Sequence, residues 1–132
     1  MSRAAASVST CFDAGWRRQR EPELPYAGEA VVAADGLWAR FSLSPGDGVI
    51  EQAGFRAASC VTLVAYCELL CRMITGEPMA AAETLSPQVL VDQLPGVPPV
   101  KQDRAVLAVA ALRGAASLLK GQQACHSMEE RS

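Results

Sequence analysis

The sequence predicts an α+β fold, a small three-stranded antiparallel sheet with helices packed on one face. Strand-like alternation is confined to residues 29–57, and a helical hydrophobic period takes over after Cys60. A dense turn signal, Ser44-Pro45-Gly46-Asp47-Gly48, joins the two longest alternating runs. At 132 residues the chain has the size of one domain. We expect that domain to span residues 1–132, ordered from about residue 12 to about residue 120, with loose termini.

The elements follow in order. Met1 to Ser9 is rich in Ala and Ser and reads as frayed. Thr10 to Arg20 predicts a short helix with Phe12 and Trp16 one turn apart on one face. It closes before Glu21-Pro22, because a residue preceding proline avoids the helical region. Three strands are expected at Glu29–Ala33, Trp38–Leu43 and Val49–Ala57, the last two forming a hairpin through the five-residue turn. In the second, Ala39, Phe41 and Leu43 share one side; in the third, Ile50, Ala53 and Phe55 are the apolar members. Cys60 to Thr75 predicts the central helix, ended by Gly76 and Pro78. Ser86 before Pro87 reads as an N-cap with proline at the first helical position, for a helix running to about Leu94. Pro98-Pro99 keeps the next stretch extended, and a last helix runs from about Asp103 to Lys120, ended by Gly121.

Composition excludes several classes. Half of the chain is hydrophobic, 20% is charged and the net charge is -2, which is wrong for a disordered chain. Arg17, Arg18 and Arg20 are the only basic cluster, so no nucleic-acid footprint is expected. Ala57 to Ile74, the most apolar stretch, carries Glu68 and Arg72, so no membrane span is expected. Met1 to Thr10 has no apolar core of a secretory signal. The expectation is a soluble cytoplasmic protein whose five cysteines form no disulfide framework.

Those cysteines are the first candidates for chemistry. No Cys-x-x-Cys pair occurs, and the one histidine, His126, sits in a polar tail, which argues against a Cys–His or Ser–His catalytic pair. Cys60, Cys67 and Cys71 fall in one narrow helical stripe. Cys67 and Cys71 share it with Leu63, Val64, Leu70 and Ile74 and read as core, whereas Glu68, Arg72 and Thr75 occupy the other side. Cys60 differs, since it heads the helix, where the dipole favours a thiolate. Val97-Pro98-Pro99-Val100-Lys101 presents a preformed backbone that a partner groove can read, or it simply connects two helices. Asp35-Gly36 reads as a turn pair.

Three of these segments together resemble a known family. Gly48 to Cys60 is similar to a strand that leads to a cysteine at the head of a helix, Gly76-Glu77-Pro78-Met79 to the break after that helix, and Val97 to Lys101 to a proline-proline-valine-lysine loop opening the last helix. In that order and spacing they resemble the iron–sulfur cluster assembly scaffolds of the IscU and NifU N-terminal type, over roughly Phe12 to Ala116. The chain departs from the family at its ligands. Only Cys60 matches a family cysteine; Ala34 stands at the place of the first, and Asp103 and Arg104 stand where the histidine and the third cysteine belong. Asp35 lies one residue from the family aspartate, and Ser59 replaces the glycine before Cys60.

The resemblance implies a divergent scaffold-like protein, not an enzyme, that assists or regulates iron–sulfur biogenesis by binding partners or metal. Cys60, Asp35 and Asp103 are the metal candidates it leaves, with Cys60 the cofactor candidate, for an iron–sulfur cluster, iron or zinc. Val97, Pro98, Pro99, Val100 and Lys101 are the candidate partner surface, for a cysteine desulfurase or an Hsc-type chaperone. Two other readings stay open: Cys60 as a persulfide acceptor in sulfur transfer, and a purely structural interaction module. A [2Fe–2S] cluster wants four soft ligands, and the set retained is one thiol beside two carboxylates.

Overall fold

The computed structural model describes the backbone of residues 7–131 and the side chains of residues 7–121. The reading of Met1 to Ala6 as frayed, and the side chains of Cys125 and His126, lie outside the described residues. The chain runs α1 (Val8–Arg18), β1 (Tyr26–Ala27), β2 (Val31–Val32), β3 (Trp38–Gly46), β4 (Val49–Ala57), α2 (Val61–Ile74), α3 (Met79–Thr84), α4 (Pro87–Gln93), a 3₁₀ turn (Pro99–Lys101) and α5 (Arg104–Arg131).

The sheet is antiparallel and has four strands rather than three. The additional strand is β1, two residues long, which pairs Tyr26 with Leu43 and Ala27 with Ser42. β2 pairs Val31 with Ala39 and Val32 with Trp38. Because β4 takes the other edge of β3 along its whole length, β1 and β2 lie end to end on one edge, separated by a one-residue slip in register. Gly28 sits in that break, and its N–H still reaches Phe41 O at 2.9 Å. A side chain there would run into the α5 backbone, since a Cβ would lie 2.8 Å from Ala115 N.

The β3–β4 hairpin is tighter than the five-residue turn expected. Only Asp47 and Gly48 lie outside the strands, with φ of 42° and 81°. That is the positive-φ pair of the hairpin turns that match strand twist, for which Asp-Gly is suited. Pro45 joins β3 because the register slips between Ser44 and Pro45, so its missing N–H falls at an irregularity.

The alternation places the core as expected. Ala39, Phe41 and Leu43 of β3 and Ile50, Ala53, Phe55 and Ala57 of β4 are buried. α2 and α5 pack on that face and on each other, while α1 packs on α2. The outer edge of β4 is closed without another strand. Gln19 Oε1 accepts from Ala57 N at 3.0 Å, Arg18 Nη1 donates to Ala53 O at 3.0 Å, and Ile50 N donates to Glu77 O at 2.9 Å. Covering an edge in this way removes a template for unwanted pairing.

The helix ends differ from expectation in physically readable ways. α1 starts at Val8 because Ser7 Oγ accepts from Thr10 N at 3.1 Å, an N-cap bond. Cys11 and Gly15 form its buried face, while Phe12 and Trp16 stack at 5.8 Å with Trp16 exposed. Gly76 and Gly96 take positive φ where α2 and α4 end, as C-terminal glycines do. Gly121 has no such φ, so α5 does not stop there and continues to Arg131. Pro99 to Lys101 closes into a 3₁₀ turn rather than staying extended; only Pro98 is extended, with ψ of 144°.

Candidate functional site

The site is built where β2–β3, α2 and α5 come together. Ala33-Ala34-Asp35-Gly36 forms the tight link between β2 and β3: Gly36 N donates to Ala33 O at 2.9 Å, and Leu37 N to Asp35 Oδ1 at 3.1 Å. Asp35 is thus a turn residue by its own hydrogen bonding. Its other oxygen, Oδ2, lies 3.6 Å from Arg104 Nη2. Cys60 is the N-cap of α2, in extended conformation, and its carbonyl accepts from Val64 N at 2.9 Å. Its thiol caps nothing and is half-buried. Asp103 and Arg104 sit at the head of α5, where Arg104 Nη1 donates to Asp103 Oδ1 at 2.6 Å.

Two of the residues singled out by sequence, Asp35 and Asp103, therefore meet at Arg104. The Arg104 guanidinium is held above the ordinary arginine range, first by the hydrogen bond to Asp103 and next by the influence of Cys60. Its Nε is buried with no partner among the described residues, and the side chain is only 20% exposed. Asp35 and Asp103 stay largely in solvent, at 46% and 67%. Among the described residues, no three His, Cys, Asp or Glu side chains are grouped so as to share a metal ion. Asp35 and Asp103 converge on a guanidinium. The donor set does not fit an iron–sulfur cluster, whose cationic core needs soft thiolate ligands rather than one thiol, two hard carboxylates and a fixed cation.

Cys67 and Cys71 are fully buried, and Cys11 is too. Burial pushes the Cys67 thiol well up and the Cys71 thiol up to about 12. They are core residues, as their stripe implied, and Cys60 is the one thiol among the described residues that solvent reaches.

Two expectations need correction. Val97 is buried at 7% exposure and belongs to the core, so it anchors the loop instead of presenting itself to a partner. Gln102 Nε2 ties the same residue by donating to Val97 O at 3.3 Å. Pro98, Pro99, Val100 and Lys101 are exposed, Val100 at 78%. Glu68 is not on a solvent face: it is 2% exposed, covered by α1 and paired with Arg18 and Arg72. The clue available in sequence was the Glu68–Arg72 spacing of four together with unassigned arginines at 17, 18 and 20.

A crystal structure described as that of a hypothetical protein is similar over 84% of this chain and 90% of its own, at 14% identity and a TM-score of 0.45. No curated protein matches the chain. No helix among the described residues is long and apolar enough to cross a membrane. The profile of the NifU-like N-terminal domain matches residues 15–126, from within α1 into the last turns of α5. A match over that share of the sequence identifies the chain as a member of the NifU-like N-terminal domain family.

Proposed function

We propose that this protein is a non-enzymatic, scaffold-like component of iron–sulfur cluster assembly that works by binding partners. Family membership supports the role in cluster assembly. The observation that carries the partner-binding part is the loop before α5. Pro98 has the backbone fixed, the 3₁₀ turn presents Val100 at 78% exposure with Lys101 beside it, and Val97 is pinned in the core beneath them. A preset, anchored loop with an exposed apolar tip loses little entropy on docking. An Hsc-type chaperone is the partner this loop suits, as the family resemblance implies. The test is a titration of the full chain against such a chaperone. Val100→Glu should weaken binding by tenfold or more, whereas absence of binding by the unmodified chain would leave the loop a connector.

A second reading is supported by the accessibility of Cys60 beside buried Cys67 and Cys71. In it the Cys60 thiolate attacks the outer sulfur of a desulfurase persulfide, the desulfurase thiolate leaves, and Cys60 carries the persulfide. It needs one reachable thiol and no metal. Incubation with a cysteine desulfurase and cysteine, followed by mass measurement, should add one sulfur to the wild type and none to Cys60→Ser.

A further inference from the structure

The geometry points to a second site, a binding pocket for a small zwitterion of the α-amino acid class, on the sheet face opposite α2 and α5. Ser42 of β3 pairs with Gly54 of β4 there, on the side turned away from buried Phe41, Leu43, Ala53 and Phe55. The link between α1 and β1 crosses this face as a strap. Leu24 N donates to Ser42 Oγ at 3.2 Å, Arg56 Nη2 to Glu21 O at 2.6 Å, and Arg40 Nη2 to Glu23 Oε1 at 3.2 Å. Ser42 is only 1% exposed. Strap, sheet and the end of α1 bound a cavity of about 160 Å³, with Arg18, Glu21, Ser42, Glu51, Gly54 and Arg56 in its wall.

The space exists because residue 54 is a glycine. A Cβ there would meet nothing closer than Ser42 Oγ at 3.5 Å and Leu24 Cδ1 at 3.9 Å, so no neighbour fills the position. The wall carries unmatched charge of both signs. Arg56 donates to the carbonyls of Phe55 and Glu21, and among the described residues no carboxylate pairs with it. Glu21 and Glu51 likewise pair with no cation among those residues. Arg18, by contrast, is matched by Glu68. Ser42 Oγ accepts from Leu24 N, and its own hydrogen has no acceptor among the described residues, which leaves a buried donor in the wall. A ligand with a carboxylate for Arg56 and Ser42 and an ammonium for Glu21 and Glu51 satisfies all four groups. A cavity of roughly 150 Å³ takes benzene, so this one has room for a short amino acid and not for a nucleotide. None of its lining residues belongs to the group around Arg104, and the pocket needs no protein partner.

Titration of L-serine into the isotope-labelled full chain, followed by amide NMR shifts, is the test, since L-serine carries both charges and fits the volume. The amides of Ser42, Gly54 and Arg56 should shift together and saturate with millimolar affinity. Acetate and ethylamine, each with one charge, should bind at least tenfold more weakly. Gly54→Val fills the cavity with a strand-forming side chain and should abolish the shifts. Arg56→Gln removes the cation and should weaken binding at least tenfold, which serves if the valine form is poorly folded by circular dichroism. Absence of saturable shifts in the wild type at tens of millimolar L-serine would overturn the pocket as a site. Acetate binding as tightly as L-serine would overturn the zwitterion. Shifts retained unchanged in either folded variant would put the binding elsewhere and overturn the assignment.

Discussion

Glu68 and Arg18 form a bidentate ion pair across the α1–α2 interface, with Nε to Oε1 at 2.6 Å and Nη2 to Oε2 at 3.0 Å. The carboxylate is 2% exposed, and Arg72, one turn further along α2, adds a third bond at 2.8 Å. The pair locks the angle at which α1 crosses α2. Arg18 also donates to Ala53 O, which extends the lock to β4. The bond to Glu68 raises the Arg18 pKa above its ordinary value.

Arg18→Met should therefore destabilise the protein by about 2 kcal/mol. Loss of one partner from a buried pair costs about 3–5 kcal/mol, reduced here because Arg72 still neutralises Glu68. Arg72→Met should cost less than about 1 kcal/mol, since Arg72 is 44% exposed and its pairing is screened. Urea denaturation of the two variants measures the difference. Equal losses would contradict the ranking.

Tyr66 makes the opposite case. Its hydroxyl is buried with no hydrogen-bond partner among the described residues, and burial raises its pKa. Tyr66→Phe should leave stability unchanged or raise it by about 1 kcal/mol, because it removes an unpaired buried polar atom. A loss of about 1 kcal/mol or more in thermal or urea melts would reveal a partner for the hydroxyl.

Thiol labelling should separate the cysteines of α2. Cys60 is half-buried at the cap, while Cys67 and Cys71 are sealed in the core with raised pKa values. Iodoacetamide at pH 7.5 should modify Cys60 at least tenfold faster than either, as peptide mapping would show. Comparable rates would mean that α2 opens readily.

Stability should fall at alkaline pH, and the buried thiols set part of the slope. Their folded pKa values lie above the ordinary 9.0, Cys71 at about 12. The folded state keeps the protons that the unfolded state releases, so their contribution is full below pH 9 and is lost progressively toward pH 12. Within that window each buried thiol removes about 1.4 kcal/mol per pH unit. Cys71→Ala should flatten the fall in urea-derived stability between pH 9 and pH 10.5 relative to wild type. An unchanged slope would exclude Cys71 as a source.

Much of the frame was legible because it follows strong local rules. The alternation of Ala39, Phe41 and Leu43, the cap position of Cys60 and the Ser86-Pro87 start all rest on neighbours in sequence. β1 and α3 escaped because two residues carry no strand period and six carry little helical one. Glu68 escaped because its burial depends on an arginine fifty positions away, and Val97 because a valine between glycine and proline shows no period at all. In the site, the presence of Arg104 was readable, but its placement between Asp35 and Asp103 depends on two remote segments meeting.

Only Gln102 and Asp103 separate Lys101, the end of the exposed 3₁₀ turn, from Arg104. A partner seated on the turn would lie within three residues of the Asp103–Arg104 pair at the head of α5. Occupancy of the turn is expected to change the rate at which Cys60, at the cap of α2, is alkylated. Comparing Cys60 alkylation rates with the loop free and occupied tests this, and identical rates would mean that the two places are independent.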